Sequence, residues 1–401
     1  MQLHKRKIFS QIEPYIGDRT EIVLHGARQV GKTHILLYIQ QWLSDRQKKV
    51  FYYDLEYPNL LRDLNLGVDV FVADLTGKGY GAGEEVYALI DEIQYLDNPS
   101  SFLKIIADHY PNIHLVVSGS STFDIKSKFT DSLAGRTTAF EVYPLSFAEF
   151  LEFKQVDLIP ARVSSPTGIE RLKQLYSEFV CYGGYPKVVL EPNEEKKRHY
   201  LLQVIDTYIR KDVRDLAHVD DISKFNNLLE VLASQSGQLL DIASVSRETT
   251  LSYPTVQKYL NILEETYVVK RVTPYSKSPS VEISKNPKVF FYDSGLQSLL
   301  WFNHFQRTIL GSIFETNVFG ELVKLYSRQS IHFWRTKAHQ EIDFVIDDGT
   351  TVFPIEVKHT FGQFNTRAID SFSRRYKNKH WNVVGLEGEK SSPHCIFPWE
   401  I

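Results

Sequence analysis

Cysteine and long apolar runs are both scarce in this sequence. Its 401 residues include two cysteines, Cys181 and Cys395, which lie far apart and in no metal-binding spacing. This usage argues against a disulfide framework and is typical of a reducing compartment. No stretch approaches about 18 uninterrupted apolar residues, and the basic start MQLHKRKIFSQIEPYIG lacks the apolar run of a signal peptide. We therefore expect a cytoplasmic protein that does not bind membranes.

An excess of positive charge is also absent. The formal net charge is −3 at pH 7, so no global basic field favours nucleic acid, and any such binding must rest on local patches. Apolar residues make up 43% and charged residues 24%, which is ordinary for a globular protein. A chain of this length can form two or three domains, each with its own core.

The strongest pattern is HGARQVGKTHIL, residues 25–36, which contains G-x-x-x-x-G-K-[ST]. The apolar segment EIVLHG before it predicts a strand, and KTHILLYIQQWL after it has apolar residues at helical spacing. Strand, glycine loop and helix is the arrangement that binds nucleotide phosphates, with Lys32 at the β- and γ-phosphates and Thr33 on Mg²⁺. The residues of this loop predicted to bind the nucleotide are Gly26, Gln29, Val30, Gly31, Lys32 and Thr33.

Three later segments add candidates for nucleotide chemistry. The predicted strand in EVYALIDEIQYL ends in Asp91, which would order the Mg²⁺ shell, and Glu92, which would polarise the attacking water. IHLVVSGSST predicts another buried strand, where Ser118 or Ser120 could sense the γ-phosphate, although such residues also suit a turn. Arg136 precedes a fifth strand and could stabilise transition-state charge in its own site or a neighbour's, or be an ordinary surface arginine.

Helices that alternate with buried strands predict a parallel α/β sheet over residues 1–158. The P-loop, LIDEIQYL, VVSGSS and LAGRTTAFEVYPLSFAEF together resemble the AAA-type domain of a large prokaryotic ATPase family. Members of that family carry a C-terminal region called DUF4143, and the resemblance runs across nearly the whole chain. It implies that ATP and Mg²⁺ are bound.

The middle of the chain is predicted to hold a linker, a helical segment and a DNA-binding fold. Residues 159–221 begin with the linker-like IPARVSSPTG, and their GGYP and Lys211–Val213 segments are similar to the family. Residues 222–292 then have three helical segments and two strands around a polar turn, the order of a winged helix-turn-helix.

DNA contact by this middle fold would rest on a few polar and basic side chains. Ser252 is the predicted N-cap of the third helix, with Thr255, Gln257 and Lys258 nearby. In the hairpin, the residues that could meet phosphates are Lys277, Lys285 and Lys288. Because these charges are few, a domain that serves protein packing alone is the alternative.

The last region, residues 293–401, predicts a helix followed by strands that carry acidic residues. Glu356 and Lys358 lie two residues apart on one strand and therefore share a face, and Asp343 lies on the strand before it. This is the arrangement of the PD-(D/E)xK nuclease fold, which the DUF4143 region resembles. Asp343 and Glu356 would hold Mg²⁺, Glu315 could complete the metal shell, and Lys358 could orient the water or stabilise the extra negative charge.

Two functions remain open at this stage. In the first, an ATPase controls a DNA-binding, nuclease-like C-terminal half, in DNA processing or defence. In the alternative, the protein is a regulatory ATP-dependent switch whose nuclease-like fold binds a partner without cutting, because such folds are often retained for binding. A basic run in FSRRYKNKHW, with Arg367 before it, is either a phosphate track or a solvated helix face. A homo-oligomer is possible for an AAA-type domain.

Overall fold

A computed structural model describes residues 3–81, 83–119, 133–209, 222–277 and 286–401. Ser120, the segment Lys211–Val213 and Lys285 lie outside the described residues. The chain divides into two compact units, Met1–Tyr143 and Pro144–Ile401. Within the described ranges, no helix combines the length and the apolar character needed to cross a membrane.

The first unit contains a five-stranded sheet in which every neighbouring pair is parallel. The strands are β1 Glu21–Gly26, β2 Lys49–Asp54, β3 Val86–Asp91, β4 Ile113–Gly119 and β5 Thr137–Val142, in the order β2-β3-β4-β1-β5. The helices are α1 Phe9–Ile12, α2 Lys32–Ser44, α3 Pro58–Asn65, α4 Val68–Gly77 and α5 Pro99–His109. The predicted parallel α/β sheet is therefore confirmed.

Burial explains why these segments form central strands. All six residues of β1 and all six of β3 are buried, as expected for parallel strands covered on both faces. Ile90 of β3 and Val117 of β4 pack with Phe71 and Leu103 from the helices in one apolar core. The strand order and direction then decide which strand ends meet at the edge of the sheet that carries the glycine loop.

The second unit begins with helices. They are α6 Phe147–Phe153, α7 Pro166–Tyr182, α8 Pro186–Leu190, α9 Glu194–Gln203, α10 Ile222–Ser234, α11 Ile242–Thr249 and α12 Tyr253–Glu265. The hydroxyl of Ser252 accepts a hydrogen bond of 3.2 Å from the amide of Thr255, so α12 begins with the predicted cap. Two antiparallel strands follow, β6 Val269–Val272 and β7 Lys288–Phe291. Three helices and a hairpin therefore occur in the order predicted for residues 222–292.

The remainder of the second unit is built on a mixed sheet. Helices α13 Ser294–Phe302 and α14 Gly311–Leu325 precede it, and α15 Arg367–Tyr376 connects two of its strands. The strands are β8 Ile331–Arg335, β9 Glu341–Asp347, β10 Val352–Thr360, β11 Asn382–Glu387 and β12 Cys395–Ile396, in the order β12-β11-β10-β9-β8. Strand β10 pairs antiparallel with β9 and parallel with β11, and α14 packs against β10.

The GGYP segment is explained by a close contact with Asp293. Gly183 ends α7 at φ 78°, and a Cβ atom there would overlap the carboxylate of Asp293. The same carboxylate accepts hydrogen bonds from the amides of Gly184, at 2.7 Å, and Leu296, at 2.8 Å. The first glycine is therefore needed both for its left-handed backbone and for the space that it leaves.

We predict that Gly183→Ala destabilises the protein much more than Gly349→Ala. Both glycines have φ near +80°, but a Cβ at Gly349 would meet nothing within 4 Å. The control substitution should cost about 1 kcal/mol of unfolding free energy for its backbone strain, and Gly183→Ala should cost about 3 kcal/mol or more because it also disrupts a buried carboxylate. Thermal melts of the two variants measure the difference. Equal melting temperatures would contradict this account.

Candidate functional site

The glycine loop between β1 and α2 has the backbone that its sequence predicts. A Cβ at Gly26 would overlap the carbonyl oxygen of Val142 on β5, so only glycine fits at the end of β1. Gln29 and Gly31 have φ of 62° and 97°, and these left-handed residues turn the loop into the start of α2 at Lys32. A helix that begins in this way directs free backbone N–H groups and the positive end of its dipole at the loop.

Lys32 is folded against the loop that it follows. Its ammonium group donates to the carbonyl oxygens of Gly26, at 3.0 Å, and Ala27, at 2.7 Å, and the residue is 6% exposed. Thr33, the next residue of α2, is half-buried. Hydrogen bonds between an ammonium group and anionic oxygens are stronger than those to neutral carbonyls. A phosphate beside the loop would therefore compete well for Lys32.

Arg6 holds the other side of this loop, and sequence reasoning missed it. Its guanidinium donates to the carbonyl oxygen of Val30 at 2.6 Å and to that of Tyr143 at 2.9 Å, and the side chain is 5% exposed. The buried cation thus ties the glycine loop to the residue that follows β5. A basic residue upstream of a P-loop carries no spacing signal, so no pattern could have assigned this contact.

Asp91 ends β3 at the same edge of the sheet as the loop. Its carboxylate accepts hydrogen bonds from the hydroxyls of Tyr52, at 3.0 Å, and Ser118, and the residue is 4% exposed. Ser118 pairs with Leu24 in the sheet, so β4 places its hydroxyl between β1 and Asp91. Contact of Ser118 with a phosphate stays a prediction, since its side chain is fully buried against Asp91.

Glu92 has an unusual backbone next to Asp91. Its φ is 58°, and its amide donates to the Ser118 hydroxyl at 3.4 Å. The carboxylate accepts a hydrogen bond from the side chain of Gln94. Burial raises the pKa of Glu92, while the positive charges of Lys32 and Arg28 oppose that rise. A carboxylate of raised pKa near the loop lysine suits the acceptance of a proton from water.

The donor set at this edge fits a nucleotide with magnesium. The hydroxyl of Thr33 and the carboxylate of Asp91 are hard oxygen ligands, which Mg²⁺ prefers. The loop that faces these ligands begins at Gly26, which is held tightly against Val142 of β5. The individual roles of these residues stay predictions.

Arg136 lies at the opposite end of the sheet. Its carbonyl oxygen accepts from the amide of Glu21, the first residue of β1, at 2.8 Å, and its guanidinium donates to both carboxylate oxygens of Asp108, at 2.6 and 3.2 Å. The length of β1 therefore separates it from the glycine loop, about 20 Å at ~3.3 Å per residue. This position does not suit a role in its own site, and a role in a neighbour's site stays a prediction.

The acidic residues of the C-terminal region meet around two lysines. The ammonium group of Lys358 lies 2.7 Å from Oε1 of Glu356 and 3.3 Å from Oδ2 of Asp343, and that Oδ2 also accepts from the amide of Val357 at 2.8 Å. Glu356 and Lys358 therefore share a face, as the strand alternation predicts. Oε2 of Glu356 is buried without a hydrogen-bond partner.

Lys288 is the second lysine, and its predicted contact with phosphates is wrong. It is 2% exposed, and its ammonium group lies 2.6 Å from Glu341 and 3.2 Å from Glu315. A buried ion-paired lysine cannot reach a DNA backbone. Lys277, also predicted, is exposed and remains available for such a contact. Sequence reasoning missed Glu341 as a partner, although it lies two residues before Asp343.

Burial and ion pairing both shift pKa values in this cluster. Burial raises the pKa of Glu315 to about 8 and that of Glu356 to about 7. Burial opposes the charged form of Lys288, but Glu315, Asp343 and Glu341 outweigh it and raise its pKa. Among the described residues, no three His, Cys, Asp or Glu side chains are placed to hold a metal. As they stand, the predicted ligands Glu315, Asp343 and Glu356 surround lysines and do not fit a metal.

We predict that Arg6→Ala weakens ATP binding about tenfold, because the carbonyl groups of Val30 and Tyr143 lose these hydrogen bonds and the loop is less well ordered. Calorimetric titration with ATP measures the change. The control is Arg46→Ala, which removes an exposed arginine whose guanidinium donates to the carbonyl of Trp42 at 3.1 Å in the same unit. A folded Arg6→Ala protein with unchanged affinity would contradict the assignment.

Relatives of this chain are found in diverse organisms. An uncharacterized protein of Haemophilus influenzae is 27% identical over 283 residues, which are 69% of this chain and 68% of that protein. One of Methanocaldococcus jannaschii is 27% identical over 375 residues, 91% of this chain and 80% of that protein.

Similar solved structures include Cdc6p from Pyrobaculum aerophilum, with 13% identity and a TM-score of 0.34 over 67% of this chain and 89% of that one. The replication initiator DnaA bound to AMPPCP and single-stranded DNA has 15% identity and a TM-score of 0.30, over 66% of this chain and 89% of that one.

Three segments match known families. Residues 18–151 match the family described as AAA domain, and they include the glycine loop, Asp91 and Glu92. Residues 173–304 match a domain of unknown function, DUF8612. Residues 310–395 match the domain of unknown function DUF4143 and include Asp343, Glu356 and Lys358. The chain therefore carries an AAA domain followed by a C-terminal DUF4143 region, the combination that the sequence resemblance predicts.

Proposed function

We propose that the protein hydrolyses ATP and that its nucleotide state controls a DNA-binding, nuclease-like C-terminal half, in DNA processing or defence. One observation carries the ATPase part. The glycine loop with Lys32 and the Asp91–Glu92 pair lie at one edge of the sheet, and Ser118 links that pair to the neighbouring strand. A phosphate-binding loop and a poised carboxylate at one edge are the parts that phosphoanhydride hydrolysis needs.

Each side chain at this edge has a role in the proposed hydrolysis. The loop amides and Lys32 bind the phosphates, with Lys32 leaving the carbonyls of Gly26 and Ala27. Thr33 and Asp91 would hold Mg²⁺, which supplies charge neutralisation on the phosphate oxygens. Glu92 orients a water molecule and accepts its proton. Tyr52 and Ser118 keep the Asp91 carboxylate in place through their hydrogen bonds.

We predict that two substitutions at this edge affect different steps, one the binding of ATP and the other its hydrolysis. Lys32→Ala should weaken ATP binding by about a hundredfold or more, because a charged phosphate ligand is lost. Glu92→Gln should bind ATP as the wild type does but hydrolyse it at least about a hundredfold more slowly, because the amide cannot accept the proton. Calorimetry measures binding and phosphate release measures turnover. If Glu92→Gln released phosphate as fast as the wild type, Glu92 would not be the proton acceptor and the proposed mechanism of hydrolysis would be wrong.

The DNA-binding part rests on a polar helix and a basic surface in the second unit. Gln257, Lys258 and Asn261 are exposed on α12, the third helix of the proposed winged helix-turn-helix. Beyond β6, Lys277 lies 5.9 Å from the ring of Tyr376 on α15, and the guanidinium of Arg375 lies 5.6 Å from the same ring. The hairpin and the basic helix, separate in sequence, thus contribute to one positively charged surface.

We predict that Lys277→Ala with Arg375→Ala weakens duplex DNA binding about tenfold and lowers the slope of log affinity against log salt by about 2, since about 0.9 counterions are released per phosphate contact. Fluorescence anisotropy at several salt concentrations measures both. The control pair is Lys187→Ala with Arg171→Ala, since Lys187 also lies over a tyrosine ring, 4.1 Å from Tyr200. Equal losses in both pairs would indicate non-specific charge effects.

The regulatory alternative is favoured by the lysines in the C-terminal cluster. Because Lys288 and Lys358 lie among the acidic residues, the nuclease-like region could bind a partner without cutting it. A cleavage assay with Mg²⁺ on single-stranded, duplex and branched DNA and on RNA decides between the two functions. Cleavage that is lost in Lys358→Ala supports the nuclease, and no metal-dependent cleavage by the wild type supports the alternative.

A further inference from the structure

Lys288 is the most deeply buried cation of the acidic cluster, and the proposed hydrolysis of ATP does not use it. Its ammonium group lies 2.6 Å from Oε1 of Glu341, 3.2 Å from Oε1 of Glu315 and 4.0 Å from Oδ1 of Asp343. These three acids come from α14 and β9, while Lys288 comes from the hairpin of the preceding segment. The lysine therefore enters the cluster from a different part of the chain.

The backbone fixes Lys288 in this position. The residues on either side of it are bonded through their carbonyl oxygens, Pro287 to the amide of Leu240 and Val289 to the amide of Gly237, both at 2.7 Å. Strand β7 also pairs with β6 along its length. The ammonium group is thus held by a paired strand, which limits its freedom to leave the carboxylates.

Opposite charges nearly balance in the cluster. The acids are Glu315, Glu341, Asp343 and Glu356, and the cations that pair with them are Lys288, Lys358 and Arg335. Arg335 pairs with Glu341 at 3.0 Å and is about one-third exposed. Among the described residues, Lys288 is the one cation within 4.0 Å of the Glu315 carboxylate, whose side chain is 17% exposed. Removal of Lys288 would leave this largely enclosed carboxylate without an ion pair, which is unfavourable.

We propose that Lys288 is a built-in cation that occupies the position between Glu315, Glu341 and Asp343 where a divalent metal would otherwise bind. Glu315 is then a lysine partner and not a metal ligand, and the carboxylates of Asp343 and Glu356 face Lys358 in the same way. This inference rests on the proposed function only in treating the cluster as the metal-binding end of a nuclease-like fold. Lys288 acts through the carboxylates and is a positioning residue.

The test is whether removal of Lys288 makes the full-length protein dependent on a divalent cation. Mn²⁺ is the probe, added without nucleotide. Lys288→Met should melt below the wild type in chelator, and saturating Mn²⁺ should raise its melting temperature by about 5 °C more than that of the wild type, because a cation again pairs with the three acids. Electron paramagnetic resonance should detect one additional bound Mn²⁺ per chain.

Two variants separate charge from packing. Lys288→Arg keeps the charge and should gain no Mn²⁺ binding. Lys197→Met removes another buried lysine of the same unit, whose ammonium group donates to the carbonyl oxygen of Val188 at 2.7 Å, and it should be destabilised without rescue by Mn²⁺. Equal rescue of the two methionine variants, or no gain in a folded Lys288→Met protein, would overturn the proposal.

A double variant covers the case in which Lys288→Met does not fold. Lys288→Met with Glu315→Gln removes one charge of each sign, so it should fold and bind no more Mn²⁺ than the wild type; additional Mn²⁺ in it would overturn the proposal. The outcomes also separate this inference from the proposed function. A wild type that neither binds Mn²⁺ nor cleaves, combined with a gain in Lys288→Met, would support the Lys288 assignment and remove the nuclease.

Discussion

The parallel direction of the strands in the first unit is the constraint on which its site depends. Because all neighbouring strands run the same way, the ends of β1, β3 and β4 meet at one edge. The loop after β1 and the acids at the end of β3 are separated by β4, and Ser118 spans that gap by bonding to Asp91 and Glu92. A site made of segments about 60 residues apart in sequence therefore follows from backbone pairing.

Buried positive charge organises both units in different ways. In the first unit, Arg6 and Lys32 donate to backbone carbonyl oxygens and so fix the shape of the glycine loop. In the second unit, Lys288 and Lys358 bond to carboxylates, which satisfies the charge within the protein. Buried cations therefore order a backbone loop in the first unit and balance carboxylates in the second.

The sequence predicts elements well and partners poorly. Apolar periodicity and the glycine pattern identify β1, α2 and the Asp91 strand, and the two-residue spacing of Glu356 and Lys358 predicts their common face. Periodicity does not say which distant group a buried polar side chain contacts. The contacts of Arg6 with the glycine loop and of Tyr52 with Asp91 therefore could not be predicted. Lys288 is predicted to meet phosphates because it is a basic residue of the hairpin, yet the apolar run that follows it in KVFF indicates a strand that lies inside.

The contact between the glycines at the end of α7 and Asp293 has a consequence for biosynthesis. The amide of Gly184 bonds to a carboxylate 109 residues later in the chain, and the carbonyl of Gly184 accepts from the amide of Leu145. During translation, the Gly183–Gly184 segment cannot form its hydrogen bond to Asp293 until Asp293 has left the ribosome. Until then, the apolar faces of the intervening helices remain exposed. During that time the nascent chain can bind chaperones or aggregate.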